Sequence, residues 1–198
     1  EFDFEILKTR LREQAFLNAG IHIQISDERD PDNIICENFC YEGGISSFVE
    51  YLNKKKAVEL VHPDIIHFST VADDDQATAE VAMQYNDSYN ELILSFANNI
   101  HTTDGGTHEE GFKRSLTRVM NDYARKYNLL KDSDKNLTGD DVREGLTVVI
   151  SIKVKDAQFE GQTKAKLGNT EISGLVSNMM NDKLSTYLEE NPATARAI

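Results

Sequence analysis

Apolar side chains recur along this chain at two different spacings, and the change between them predicts interspersed helices and strands. A spacing of three and four residues is typical of a helix with one buried face, whereas strict alternation is typical of a half-buried strand. The first spacing predicts helices over about 4–18, 45–56, 109–127 and 169–190. The second predicts strands over about 21–26, 34–41, 65–71, 78–86, 92–98 and 146–154. The last of these strands has the strictest alternation in the chain.

Turn residues divide the predicted elements. Gly20 follows the first helix, where glycine commonly ends a helix, and Thr138 precedes two carboxylates in a pattern typical of a helix start. No segment repeats, so interspersed helices and strands predict a single α/β domain with a mixed sheet. We expect a first helix over 1–20, a core of sheet and helices over 21–168, and a C-terminal helix over 169–198.

Charge is unevenly distributed along the sequence. The 198 residues carry 21 Lys and Arg against 34 Asp and Glu, which gives a formal net charge of −13. Residues 72–110 hold nine acidic side chains and no basic one, whereas residues 111–167 hold twelve basic against eight acidic ones. Phosphate binding needs clustered cations, so this acidic chain is not a free-standing DNA binder by bulk attraction. An anionic partner is expected only at the basic segment.

Other protein classes are excluded by what the sequence lacks. No apolar run approaches the roughly 20 residues that a membrane-spanning helix needs. Cys36 and Cys40 lie roughly 13 Å apart on a predicted strand, too far for a disulfide or a shared metal, which favours a cytosolic protein with reduced thiols. No metal-ligand spacing is present, so no metal site is predicted. The sequence also has no nucleophile motif and no phosphate loop, so it contains no complete active centre. The start at Glu1, without a Met or a signal pattern, is typical of part of a longer chain.

Two groups of residues remain as candidate sites. Gln162 and Lys164 lie between the strictest strand and the last helix, where α/β folds commonly place ligand contacts, and a lysine there can reach a phosphate. Arg114, Arg118 and Arg125 fall within roughly 40° on one face of the helix at 109–127 and are candidates for DNA contacts. The alternative for each group is an ordinary solvated surface.

Six strings, taken together and in order, carry a family resemblance. They are AFLNAG at 15–20, YEGGI at 41–45, FVEYLNK at 48–54, TDGGTH at 103–108, TGDDVREGL at 138–146 and QTK at 162–164. Through these strings the sequence resembles, over essentially its whole length, the transducer domain of the B subunit of DNA gyrase. DNA gyrase is a bacterial type II topoisomerase. The long strings are specific, whereas QTK alone is a weak signal.

The resemblance implies an α/β fold like that of domain 2 of ribosomal protein S5. It also implies that Lys164 contacts the γ-phosphate of ATP, that Gln162 helps to hold it, and that hydrolysis releases the contact and lets two domains rotate during DNA strand passage. The implied partners are the gyrase A subunit, a second B subunit in an A2B2 heterotetramer, and double-stranded DNA, in the cytoplasm. ATP is bound mainly by a preceding ATPase domain, and the ligands for Mg²⁺ lie outside this chain.

These expectations leave three other readings open. The B-type subunit of topoisomerase IV shares the same domain plan. A protein-interaction domain would use the 162–164 loop only as surface, and an independent nucleotide-binding enzyme would bind ATP on these residues alone. The sequence lacks the nucleotide motifs of an ATPase domain, so we expect this chain by itself neither to hydrolyse ATP nor to cleave DNA.

Overall fold

The helices and strands interleave as the hydrophobic spacing predicts. The computed structural model describes residues 2–198. Within them the helices are α1 (Phe4–Leu17), α2 (Ile45–Lys56), α3 (Thr107–Lys126), α4 (Gly139–Arg143), α5 (Thr170–Glu190) and α6 (Pro192–Ala197). The strands are β1 (Ile23–Asp27), β2 (Ile35–Phe39), β3 (Ile66–Val71), β4 (Ala77–Tyr85), β5 (Leu92–Ala97), β6 (Ile100–His101), β7 (Leu146–Val154), β8 (Phe159–Glu160) and β9 (Lys166–Leu167).

The main sheet has five strands in the order β3-β4-β7-β5-β6. Its pairs are antiparallel except β5 with β7, which run parallel. The sheet is therefore mixed, and the predicted α/β fold class is confirmed. The parallel pair requires a crossover, which α3 and α4 supply between β5 and β7. The strand with the strictest alternation, β7, lies at the centre of the sheet.

Helices cover both faces of this sheet. On one face, α3 and α5 pack over inward residues of β4 and β7 such as Val81 and Ile150. On the other face, α1 and α2 pack over Ala82 and Val149. Both sets of alternating positions are thus buried along most of β4 and β7, as expected for strands sandwiched between two layers of helices.

Two predicted boundaries differ from the structure. The C-terminal helix predicted over 169–198 is two helices, because α5 ends at Glu190 and α6 begins at Pro192. The proline lacks a backbone N–H and disfavours a helical conformation at Asn191, so it ends α5 but suits the first turn of α6. In addition, the segment between β7 and α5 is not a plain loop, because β8 and β9 pair there as an antiparallel hairpin.

Candidate phosphate-contacting hairpin and arginine face

The hairpin of β8 and β9 carries Gln162 and Lys164 at its tip. Residues 161–164 are exposed, and the backbone N–H of Lys164 donates to the carbonyl oxygen of Gly161 at 3.4 Å. Lys164 has a φ of 54°, in the left-handed region that a residue with a Cβ seldom adopts. Five other residues with a Cβ among residues 2–198 also have a positive φ, so this φ defines the turn at the tip and does not by itself mark a site.

The second strand of the hairpin is fixed to the glycine-rich loop that precedes α3. Leu167 is fully buried, and its N–H donates to the carbonyl oxygen of Gly105 at 3.1 Å. The N–H of Asp104 donates to the carbonyl oxygen of Ala165 at 2.9 Å. Gly106 lies so close that a Cβ there would stand 2.4 Å from the Leu167 carbonyl oxygen, so only glycine fits. The TDGGTH string therefore holds the base of the hairpin.

The first strand of the hairpin is fixed by Asn169. Its Oδ1 accepts from the backbone N–H of Gln158 at 2.7 Å, and its Nδ2 donates to the carbonyl oxygen of Asp156 at 3.0 Å. The side chain is 1% exposed. Neither Asn169 nor Gly106 is among the site residues that the sequence indicates. The Gly-Gly pair was a visible signal for Gly106, whereas the contacts of Asn169 carry no local sequence signal.

The ammonium of Lys164 is free to meet an anion. Among residues 2–198 no carboxylate lies within 4.0 Å of it, whereas the neighbouring Lys166 pairs with Glu160 across the hairpin at 3.3 Å. The tip thus presents one unpaired cation and, at Gln162, one amide. Both groups can donate hydrogen bonds to phosphate oxygens.

A buried polar cluster lies at the start of α3, beside the same glycine-rich loop. His108 is fully buried, and its Nε2 lies 2.9 Å from Oγ1 of Thr102, which donates to the carbonyl oxygen of Ser95. The hydroxyl of Ser95 donates to Glu109 at 3.0 Å. Burial lowers the pKa of His108 to about 4, so its imidazole is neutral at pH 7. The cluster contains no nucleophile–base pair open to a substrate, and we assign it to holding the loop.

The three arginines lie on one face of α3, as predicted, but their guanidinium groups have different partners. Arg114 donates to the hydroxyls of Ser173 and Ser177 on α5, at 3.3 and 3.2 Å. Arg118 is exposed and stands 3.6 Å from Asp122. Arg125 donates to the loop that follows α3: to the carbonyl oxygens of Lys131 and Asp134 and to the amide oxygen of Asn136. This face is therefore not a row of free cations.

Membrane-spanning helices and metal clusters are both absent from residues 2–198. No helix in this range is both long and apolar enough to cross a membrane. No group of three or more His, Cys, Asp or Glu side chains in this range could hold a metal ion. Both cysteines are free thiols, and Sγ of Cys40 lies 3.4 Å from Nε2 of His22.

A mixed sheet covered by helices on both faces, as in this chain, is the fold of solved ATPase and ATP-binding domains of topoisomerase subunits. The family described as DNA gyrase B matches residues 44–198. The gyrase B protein of Clostridium acetobutylicum is 54% identical over 198 residues, which is all of this chain and 30% of that protein. This chain therefore belongs to the DNA gyrase B family. The resemblance carried by the six sequence strings is confirmed for the family. The chain spans about a third of the length of the curated relatives that it matches.

Solved structures agree with this assignment. The 43K ATPase domain of Thermus thermophilus gyrase B matches with a TM-score of 0.86 and 36% identity, over 100% of this chain and 51% of that one. A topoisomerase IV ATP-binding domain from Francisella tularensis matches with a TM-score of 0.77 and 27% identity, over 99% of this chain and 51% of that one. Both structures are described as ATPase or ATP-binding domains rather than as transducers, and this chain corresponds to about half of each.

Proposed function

We propose that this chain is the transducer part of the ATP-hydrolysing region of a DNA gyrase B-type subunit, with a fold like that of domain 2 of ribosomal protein S5. The observation that carries the proposal is Lys164, an unpaired cation at the tip of a hairpin whose base is hydrogen-bonded on both sides. A cation held in this way suits contact with a phosphate that is bound by another part of the subunit.

The donor set fits a contact to ATP but not a complete nucleotide site. Lys164 supplies an ammonium and Gln162 an amide, and both are exposed at the hairpin tip. The sequence has no Gly-x-x-x-x-Gly-Lys phosphate loop that would cradle a triphosphate with backbone N–H groups. We therefore assign most of the binding of ATP, and the ligands for Mg²⁺, to the rest of the subunit.

In the proposed mechanism Lys164 is the catalytic residue of this chain. Its ammonium stabilises the negative charge that develops on the γ-phosphoryl oxygens, and Gln162 orients the same group through an amide hydrogen bond. Loss of the γ-phosphate removes the anion that Lys164 holds. The hairpin then separates from the nucleotide, and the two parts of the subunit rotate relative to each other as rigid bodies during DNA strand passage.

The wider assembly follows from the family and forms part of the same proposal. We infer that the complete subunit works in the cytoplasm with the gyrase A subunit and a second B subunit in an A2B2 heterotetramer on double-stranded DNA. Arg114, Arg118 and Arg125 share one face of α3 and remain proposed DNA contacts. Arg118 is the most available of the three, because its one ion pair among residues 2–198, with Asp122, joins two exposed side chains at 3.6 Å.

A gyrase rather than a topoisomerase IV assignment is favoured by identity. The gyrase B relative from Clostridium acetobutylicum is 54% identical, and the Thermus thermophilus gyrase B structure is 36% identical. Identity to solved structures alone does not separate the two kinds of enzyme, because the topoisomerase IV structure is 27% identical and a gyrase B structure from Myxococcus xanthus is 22% identical. The preference for DNA gyrase therefore rests on the sequence relatives, which are gyrase B subunits 54% and 53% identical over the whole chain.

The test is ATP hydrolysis by the complete subunit with Lys164→Ala. We expect kcat to fall by about 10²–10³, the usual loss when one preorganised contact to the transition state is removed. Lys55→Ala is a matched control, because Lys55 is also exposed and has no ion pair among residues 2–198. Phosphate release measured at saturating ATP gives kcat for both variants. Equal rates for Lys164→Ala and wild type would contradict the assignment.

A further inference from the structure

The hairpin base lies where the two longest helices begin. Gly106 occupies the N-cap position of α3 and forms a parallel bridge with Leu167 of β9. Three residues after Leu167, α5 begins at Thr170, with Asn169 at its N-cap position. The hairpin that carries Lys164 is therefore joined to α3 by backbone hydrogen bonds and to α5 by the chain itself.

Asn169 stands at the N-cap position of α5, but its side chain does not cap the helix. An N-cap asparagine usually accepts from a backbone N–H in the first turn of its own helix. Here the side chain makes no such bond; its Oδ1 accepts from the N–H of Gln158, just before β8, and its Nδ2 donates to Asp156 and to Glu171. The first turn of α5 thus goes without this cap while the start of the hairpin is held.

The three hydrogen bonds fix the amide of Asn169 in one orientation. Both acceptors of Nδ2 are oxygens, the carbonyl of Asp156 at 3.0 Å and a carboxylate oxygen of Glu171 at 2.8 Å. A flipped amide would turn Oδ1 towards these two oxygens and Nδ2 towards the N–H of Gln158. With the side chain 1% exposed, water cannot replace the lost bonds without opening the site.

The direction of the hairpin depends on such anchors, because strands of two residues cannot hold it alone. At the base, the N–H of Gly168 donates to the carbonyl oxygen of Gln158 at 2.7 Å. Gln158 is therefore held on both sides, by Gly168 through its carbonyl and by Asn169 through its N–H. After Gln158, Phe159 still packs against the main core, whereas residues 160–164 are exposed, so a tilt at the base of the hairpin would displace Lys164.

We propose that Asn169 is a positioning residue for Lys164 and that its side chain sets the direction in which the hairpin presents the ammonium. This role rests on the proposed function, in which Lys164 contacts the phosphate. A displacement of about 1 Å at a reacting group costs up to about a hundredfold in rate. Asn169 touches neither the phosphate nor Lys164 in this proposal and acts only through the hairpin.

The experiment is a double-mutant cycle in the complete subunit, with ATP as the probe. We expect Asn169→Ala to lower kcat about tenfold and leave KM for ATP unchanged, because most of the nucleotide binding lies elsewhere. In the Lys164→Ala background the same substitution should produce no further loss. Gly174→Ala on α5 is the control, because a Cβ at that exposed glycine meets nothing within 4 Å.

A second variant keeps the test decisive if Asn169→Ala fails to fold, as judged by its circular dichroism melting curve. Glu171→Ala removes only the exposed acceptor of the Asn169 amide, and we expect it to lower kcat about threefold with KM unchanged. If Lys164→Ala lowers kcat but neither Asn169→Ala nor Glu171→Ala does, the positioning role alone is overturned. Equal losses in both backgrounds would show a general structural effect and overturn it as well. If Lys164→Ala itself leaves kcat unchanged, the proposed function and this role are overturned together.

Discussion

Because α3 and α5 approach closely at one glycine but not at another, alanine substitutions at these two glycines should change the stability in opposite directions. Gly111 of α3 lies against the backbone of α5: a Cβ there would stand 2.6 Å from the carbonyl oxygen of Ser173 and 3.1 Å from its Cα. Gly174 lies one residue further along α5, and a Cβ at Gly174 meets nothing within 4 Å. We therefore expect Gly111→Ala to destabilise the chain and Gly174→Ala to stabilise it.

The magnitudes follow from the two environments. Replacing glycine by alanine inside a helix contributes about 1 kcal/mol of stability when the methyl group is unhindered, which is the case at Gly174. At Gly111 the backbone oxygen of Ser173 cannot rotate away, so the helices must separate by about 0.8 Å to restore ordinary contact near 3.4 Å. Overpacking of this kind costs about 1–3 kcal/mol. Because the clash is with rigid backbone atoms, the upper part of this range applies, about 2–3 kcal/mol, and after the helix-propensity gain we expect a net loss of about 1–2 kcal/mol for Gly111→Ala.

The assay is urea unfolding of the 198-residue chain, followed by circular dichroism, with wild type and both variants at one pH. The free energy of unfolding comes from the linear dependence on urea, and an unchanged slope shows that the variants unfold as wild type does. A Gly111→Ala variant at least as stable as wild type would refute the close helix contact. A destabilised Gly174→Ala variant would refute the open environment on α5.

Two further predictions concern the buried histidine cluster and the cap of α4. Burial lowers the pKa of His108 to about 4, below its unfolded value near 6.5, so the unfolded chain binds the proton more readily. The contribution of His108 to stability is therefore fully present above about pH 6.5 and is lost as the pH falls towards 4. We expect His108 to account for about 2 kcal/mol of the loss in stability between pH 7 and pH 5 in urea unfolding, and the loss in His108→Gln to be smaller by about that amount. Thr138 accepts from the N–H of Asp141, whose carboxylate accepts from the N–H of Thr138 in return. Thr138→Ala should cost about 1 kcal/mol by the same assay, whereas Thr138→Ser should be close to wild type.

The elements with strong periodicity could be predicted, and the short ones could not. Nine alternating residues locate β7, and the apolar stripe of α3 covers five turns, so packing and local pattern agree. The hairpin of β8 and β9 has only two residues in each strand, too few for any period to appear. Its existence depends on hydrogen bonds to Asn169 and to the loop at 104–106, which are tertiary contacts.

For the candidate site as well, the sequence predicts some features and cannot predict others. The sequence indicates Gln162 and Lys164 through their place between a strand and a helix, and the structure brings both to the hairpin tip. The helical period also brings the three arginines to one face. The period cannot show that Arg114 turns to α5 and Arg125 to the following loop, because those partners lie 59 and 11 residues away in sequence. Spacing predicts which side chains share a face, whereas the partners of each side chain depend on the assembled fold.

The central place of β7 has a consequence for how the chain matures during synthesis. Its two neighbours, β4 and β5, end at Tyr85 and Ala97, whereas β7 starts at Leu146. Both neighbours therefore leave the ribosome well before the strand that joins them, each with one edge of backbone N–H and C=O groups that has no partner strand. Slow, long-range pairing of this kind exposes nascent strands to aggregation. We expect the nascent chain to need shielding by a chaperone until residue 154 has emerged, and to acquire protease resistance in one late step.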